Sequence, residues 1–166
     1  MQRVSAAVAI DAPAAKVWSV LADFGNINAF NPNLTNSYLT ADTPGGVGAT
    51  RHCDLVVPGA SIEERVINWV EGESYTVDIY DGARSPFAKA FATLTVAPLD
   101  DERAEASMQI EWKAKGGILS GLFDRGLRSQ NRKAVVGVLA GLKHHVETGS
   151  PVSARQRVDI GAVTFA

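Results

Sequence analysis

The chain has 166 residues, enough for one domain with a proper buried core. Its formal net charge of −2 gives no electrostatic reason to bind nucleic acid or an anionic membrane surface, so we expect neither partner. There is one cysteine, no signal-peptide core after Met1 and no apolar run near the ~20 residues of a membrane helix. We therefore expect a cytoplasmic protein without membrane insertion.

The first elements are a strand followed by two short helices. Alternating apolar residues predict a strand over Val4–Ile10. Pro13 suits the first position of a helix, and the apolar residues after it recur at helical spacing until Gly25. The segment Asn26–Phe30 favours a second short helix before Pro32.

Between residues 33 and 113 the sequence consists of runs in which apolar and polar residues alternate, separated by glycine, proline and aspartate. Links this short join antiparallel neighbours, because parallel pairs need long crossovers. The pattern therefore predicts an antiparallel meander with strands at Thr35–Leu39, Ala49–Val57, Ser61–Val70, Ser74–Tyr80, Phe87–Pro98 and Glu102–Lys113.

A long amphipathic helix is predicted over Leu122–Thr148, where Gly149 is a stop signal. The tail, residues 150–166, has no obvious partner and is expected either to be mobile or to dock locally. The fold class predicted for residues 1–149 is α+β, with a curved antiparallel β-sheet wrapped around the long C-terminal helix. The apolar stripe of that helix, which Asn131 interrupts, comprises Leu127, Asn131, Val135, Val138, Leu142 and Val146.

Two segments carry the motifs of a known family. One is IDAPAAKVWSVLADF at residues 10–24, and the other is VGATR at 47–51 followed by PGASIEERV at 58–66. They resemble the opening, and then the Gly-x-x-Arg strand, glycine loop and Glu-Arg strand, of the START-like superfamily, also called SRPBCC. This superfamily includes polyketide cyclases/dehydrases and lipid-transfer domains. The resemblance implies a helix-grip fold with two short helices after the first strand and a cavity between the sheet and the long helix.

Side-chain alternation predicts which residues line that cavity. On the strand at 87–98 a one-residue slip exchanges the two faces, and we assign the alanine face inward because small side chains leave room for a ligand. The expected cavity volume is about 300–1,000 Å³, the usual range for small-molecule sites. The expected ligand contacts are Leu55, Glu64, Tyr75, Val77, Ile79, Ala90, Ala92, Met108, Ile110, Trp112, Asn131, Val135 and Val138.

Polar residues on the apolar faces are the candidates for chemistry, since burying one without a partner costs about 1–3 kcal/mol. Glu64 shares a face with Ile62 and Val66, and it is the best catalytic candidate; otherwise it is a solvated or arginine-paired carboxylate. Asn131 either anchors a ligand or bonds water or backbone near the helix end. Arg51 is expected to form a salt bridge at a strand end.

The remaining candidates are interpreted more simply. Cys53 is expected to be a small buried residue, and His52 to face outward. His144 and His145 are adjacent on a helix without a carboxylate at i±4, so no metal site is expected there. No other cofactor is expected. The loops at 56–61 and 81–86 resemble, in position, the gate and latch loops of the superfamily's plant hormone receptors.

Three functions remain open at this point. Binding or carriage of a small hydrophobic, lipid- or polyketide-like molecule needs only the cavity, and we place it first. A polyketide cyclase/dehydratase also needs an acid–base pair at the reacting carbons. A protein-interaction module of the co-chaperone or ribosome-associated type needs an exposed patch and little cavity. The oligomeric state is left open.

Overall fold

The computed structural model describes residues 1–83, 85–115 and 120–166, with only the backbone for residues 120–124. Two α-helices, α1 (Ala14–Ala22) and α2 (Ser120–Thr148), and a 3-10 helix (Phe24–Ala29) accompany the strands. The strands are β1 (Gln2–Ile10), β2 (Leu34–Leu39), β3 (Thr50–Leu55), β4 (Ser61–Val70), β5 (Ser74–Asp81), β6 (Phe87–Pro98), β7 (Ala104–Ala114) and β8 (Thr164–Phe165).

All strands in this part of the chain join one sheet in the order β2-β3-β4-β5-β6-β7-β1-β8. Every neighbouring pair is antiparallel, so the predicted meander from β2 to β7 is confirmed. The first strand, β1, closes the meander by pairing with β7. The chain therefore has the predicted helix-grip architecture, an open antiparallel sheet with one long C-terminal helix against it.

The long helix α2 packs on β1 and β7 and buries the predicted apolar stripe. It begins at Ser120 rather than Leu122 and ends at Thr148, before Gly149 in the left-handed conformation. The opposite face of α2 carries exposed cations. No helix in the described ranges is both long and apolar enough to cross a membrane.

Two glycines bring α2 close to the turn that precedes β2. A Cβ atom on Gly141 would lie 2.0 Å from the carbonyl oxygen of Phe30, and one on Gly137 would lie 3.3 Å from the side chain of Asn33. The Asn33 amide nitrogen donates to the carbonyl oxygen of Ala134 on the same helix, at 3.2 Å. This turn is therefore fixed against the helix along one flank.

The inward face of β6 agrees with the predicted assignment, apart from its first residues. Ala90, Ala92, Leu94 and Val96 are buried, whereas the side chains between them are partly exposed. Ala88, which shares the predicted inward face, is exposed. A register shift between Phe87 and Lys89 breaks the alternation there, because a bulge inserts a residue without a cross-strand partner.

The C-terminal tail docks on the domain, one of the two possibilities left open by its sequence. Val152 is buried, and its backbone N–H donates to the carbonyl oxygen of Ala29 at 2.8 Å. Further on, β8 pairs with β1 through Phe165 opposite Ala6 and Thr164 opposite Ala7. Sequence patterning does not predict this strand, because two residues are too few to show alternation.

Candidate functional site

A cavity of about 110 Å³ lies between the inner face of the sheet and α2. Most of its wall is aliphatic, contributed by strands β2 to β7, by the 3-10 helix and by α2. One part is polar, where Arg51, Cys53 and Glu64 meet. The other lining residues are Ile27, Asn31, Asn33, Leu34, Leu55, Ile62, Ile79, Ala92, Leu94, Met108, Ile110, Ala134 and Val138.

The expected ligand contacts divide into two groups. Those that line the cavity are Leu55, Glu64, Ile79, Ala92, Met108, Ile110 and Val138. Those that are buried without lining it are Tyr75, Val77, Ala90, Trp112, Asn131 and Val135. Contact with a ligand stays a prediction for all of them.

The cavity is smaller than the expected 300–1,000 Å³, in part because aromatic side chains fill space on the concave side. Tyr75 is fully buried, and its ring centroid lies 5.6 Å from that of Trp69, 5.8 Å from that of Phe24 and 6.4 Å from that of Trp18. Both indole nitrogens of this group donate to Glu71, at 2.7 Å each. Tyr75 thus belongs to an aromatic cluster under α1 instead of the cavity wall.

The polar part of the wall is a buried ion pair. Arg51 and Glu64 face each other across β3 and β4, and Arg51 Nε donates to Glu64 Oε2 at 2.6 Å. Arg51 Nη1 donates to the carbonyl oxygen of Phe24 at 2.8 Å, and the guanidinium lies 4.0 Å from the centroid of the Phe24 ring. Burial by itself lowers the pKa of Arg51, but the charge of Glu64 and other neighbouring groups raise it more. Arg51 therefore stays charged in the core.

Glu64 faces inward, as the alternation of β4 predicts, with its carboxylate paired to Arg51. Arg51 also proves to be a salt-bridge partner, although it is among the most deeply buried side chains rather than at an accessible strand end. The ion pair forms because the β3–β4 register places Arg51 opposite Glu64, and the sequence alone did not specify that register.

Cys53 is the third member of the polar part. Its thiol donates to Glu64 Oε2 at 3.6 Å, and its side chain is fully buried. Burial first, and then the negative charge of Glu64, raises the pKa of this thiol well above its ordinary value. Since the thiolate is the reactive form of cysteine, Cys53 has the character of the small buried residue expected from the sequence.

Three buried polar atoms lack a hydrogen-bond partner among the residues described. They are the hydroxyl of Tyr75, the indole nitrogen of Trp112 and the amide nitrogen of Asn131. Burial raises the pKa of Tyr75, and the charge of Arg51 offsets part of that rise. Asn131 stands one turn before Ala134, which lines the cavity. An unpaired buried donor costs about 1–3 kcal/mol, so these three atoms lower the stability of the fold.

The outer surface near the site carries a second polar arrangement. His52 is half-buried on the opposite face of β3, where it bonds Glu63 through Nδ1 and Asp54 through Nε2, the latter at 3.0 Å. Its ring stacks on Tyr38 with the centroids 5.1 Å apart. The outward orientation expected of His52 is thus observed. In the loop at 81–86, which resembles a latch loop only in position, Arg84 lies outside the described residues.

Solved structures with the same fold have low sequence identity to this chain. A protein from Thermobifida fusca is 23% identical over 88% of this chain and 93% of its own, with a TM-score of 0.73. A START superfamily protein from Mycobacterium smegmatis is 17% identical over 89% of this chain and 99% of its own, with a TM-score of 0.71. The di-domain ARO/CYC BexL of the BE-7585A biosynthetic pathway is 19% identical over 89% of this chain and 47% of its own, with a TM-score of 0.69.

The comparison with family models matches a similar share of the chain. Residues 1–147 match the model of the family described as Polyketide cyclase / dehydrase and lipid transport. The matched range contains the sheet from β1 to β7, both α-helices except the last residue of α2, and the whole wall of the cavity. No protein of curated function matches the sequence significantly.

Proposed function

Because the chain belongs to the family described as Polyketide cyclase / dehydrase and lipid transport, we propose that it binds a small hydrophobic molecule in the cavity between the sheet and α2. The observation that carries this proposal is an internal, mostly aliphatic wall that contains the buried pair of Arg51 and Glu64. Such a wall would orient a ligand that has an apolar body and one polar group. An exposed interaction module would not need this internal space.

The size of the cavity suggests the size of the ligand. At about 110 Å³ it approaches the volume of an engineered apolar cavity of about 150 Å³ that binds benzene. A single ring or a short acyl chain therefore suits the present volume. A longer lipid or a polyketide would require the wall to open further.

The polar region favours binding over catalysis. The oxygen Oε2 of Glu64 accepts hydrogen bonds from Arg51 and Cys53, which holds the carboxylate in place. Burial raises the pKa of the Cys53 thiol, which keeps it protonated and weakly nucleophilic. A cyclase would need a base free to take a proton from its substrate. We therefore infer that Arg51 and Glu64 position a ligand's polar group.

The test uses p-cresol as a probe, since it combines an apolar ring with one hydroxyl. In saturation-transfer NMR the protein should give a p-cresol signal, and native mass spectrometry of freshly purified protein should show a co-purifying small molecule. Ala92→Leu fills the cavity from β6 and should abolish both signals. Ala88→Leu adds the same side chain at an exposed position of the same strand and should leave them unchanged.

A second filling variant guards against misfolding, because overpacking a core costs about 1–3 kcal/mol. Ala134→Leu fills the cavity from α2, and its thermal unfolding is measured beside that of Ala92→Leu. Loss of binding in a variant that still unfolds cooperatively supports the proposal. Equal p-cresol signals in all variants, or no signal in the parent protein, would contradict it.

A further inference from the structure

A groove of about 710 Å³ lies on the outside of the domain, between the C-terminal tail and α2. One wall is formed by α2 residues between Ser129 and Gly137, and the other by tail residues between Arg155 and Phe165. We call it the tail groove. Its volume is in the range of small-molecule sites and exceeds that of the internal cavity.

The tail is attached on both sides of the groove. At one side the backbone N–H of Arg155 donates to the carbonyl oxygen of Pro32 at 2.8 Å, and Arg155 Nη2 donates to that of Val56 at 2.6 Å. Arg155 has a φ of 61°, which is uncommon for a residue other than glycine. At the other side, β8 is hydrogen-bonded to β1. The residues between these attachments form a strap beside α2.

The groove is strongly cationic, although the chain as a whole has a formal charge of −2. Arg132 and Lys133 on α2, with Arg155 and Arg157 on the tail, line it, and none of its described lining residues is acidic. None of these cations takes part in an ion pair within the described part of the chain. Asp159, the acidic residue on this strap, accepts instead from the backbone of Gly161 at 2.9 Å.

The rest of the wall is apolar. Val136 on α2 and Val158 and Ile160 on the tail line it, and Ile160 is 57% exposed. Phe165 is 40% exposed and lies beneath the guanidinium of Arg132, which is 3.6 Å from the ring centroid. A group of exposed apolar side chains in a concave surface marks a binding site more often than a single exposed apolar side chain does.

We propose that the tail groove binds a fatty acid, with the carboxylate on the cationic side chains and the hydrocarbon chain on the apolar ones. Guanidinium groups form paired hydrogen bonds with carboxylates, and four cations without ion-pair partners among the described residues leave the groove with unbalanced positive charge. The occupant is a free amphiphile, because the groove is concave and lies between two walls, one from α2 and one from the tail. The groove and the cavity share Asn33 in their walls, but the proposal concerns the outer side and does not depend on a ligand in the cavity.

The experiment measures binding of 11-(dansylamino)undecanoic acid by fluorescence. The parent protein should bind this probe, and dodecanoic acid should displace it whereas dodecanol should not. Lys133→Glu combined with Arg157→Glu should weaken binding at least about tenfold, since each change removes a cation from the groove and adds an anion that repels the carboxylate. Both side chains are exposed, so the fold should tolerate the change.

Matched controls separate the groove from general charge and from the cavity. Lys16→Glu combined with Lys113→Glu makes the same change in net charge at exposed positions elsewhere and should leave probe affinity within about twofold. Ala92→Leu should also leave it unchanged. The proposal is overturned if Ala92→Leu abolishes probe binding, if dodecanol displaces the probe as well as dodecanoic acid does, or if the groove variant weakens binding to phosphatidylglycerol vesicles while probe affinity stays the same.

Discussion

At the scale of single residues, the pair of Arg51 and Glu64 dominates the polar part of the cavity. Both side chains are nearly inaccessible to solvent, with exposed fractions of 1% and 6%. Charges withdrawn from water in this way stabilise little by themselves, because their attraction mainly offsets the cost of desolvation. Removing one partner is far more costly, since it leaves the other charge buried and unpaired.

We therefore expect Arg51→Met to lower the free energy of unfolding by about 3–5 kcal/mol. The double variant Arg51→Met with Glu64→Gln should be less destabilised than the sum of the two single variants, because neither charge then stays unpaired. Urea unfolding of the four proteins gives this coupling energy. Strict additivity of the two single changes would show that the pair does not interact.

The second residue-scale feature is His52 on the outer face of β3. Hydrogen bonds to Glu63, and then to Asp54, raise the pKa of His52 above its ordinary value of 6.5. A raised pKa means that the folded protein binds the proton more tightly than the unfolded chain does. The resulting stabilisation is complete below the unfolded-state pKa and disappears as the pH rises through the folded-state pKa.

His52→Gln tests this pH dependence. The variant should lose more stability, relative to the parent protein, at about pH 5.5 than at about pH 9, because the stabilisation from the charged histidine disappears as the pH rises through its folded-state pKa. Urea unfolding at the two pH values provides the measurement. An equal loss at both would mean that His52 contributes through packing on Tyr38 rather than through its charge.

At the scale of elements, the contact between α2 and the Phe30 turn depends on a missing side chain. Gly141→Ala would place a methyl group 2.0 Å from the backbone oxygen of Phe30, and a backbone atom cannot rotate away as a side chain can. The helix would have to move away from this turn. The turn places Asn31 and Asn33 in the cavity wall. Helix propensity alone favours the opposite result, because alanine is better than glycine by about 0.8–1.0 kcal/mol.

We expect Gly141→Ala to lower the melting temperature, whereas Gly126→Ala should raise it slightly. Gly126 lies on the same helix, and a Cβ atom added to it would meet nothing within 4 Å, so it isolates the effect of propensity. Differential scanning calorimetry of both variants is the measurement. If the two changes shift the melting temperature in the same direction, the close contact at Phe30 does not limit the helix.

Much of the element-level description could be predicted from the sequence. Alternation identified the inward faces of β5 and β7, and it put Glu64 on the inner side of β4. These are patterns within one strand, so they can be recognised without knowing which strands lie beside it. The position of Ala88 could not be predicted in this way, since the bulge beside it depends on pairing with β7.

At the scale of the whole molecule, the features that the sequence did not predict join segments that are distant along the chain. Trp18, Trp69 and Tyr75 form one aromatic cluster from three elements, which removes Tyr75 from the expected cavity wall. The tail groove likewise exists because residues after Gly149 return to α2. Hydrophobic periodicity describes one helix or strand at a time. It therefore does not predict where side chains of different elements pack together or where they leave a cavity or groove.

The position of β1 has a consequence for how the chain folds. Although it is the first strand, it pairs with β7, across separations in sequence that run from Ile10 with Ala104 to Gln2 with Trp112. Its other edge pairs with β8 near the C-terminal end of the sequence. Contacts this distant impose a large loop-closure entropy before they give any stabilisation, which slows folding. During synthesis β1 must therefore wait, without its sheet partners, until most of the chain has left the ribosome.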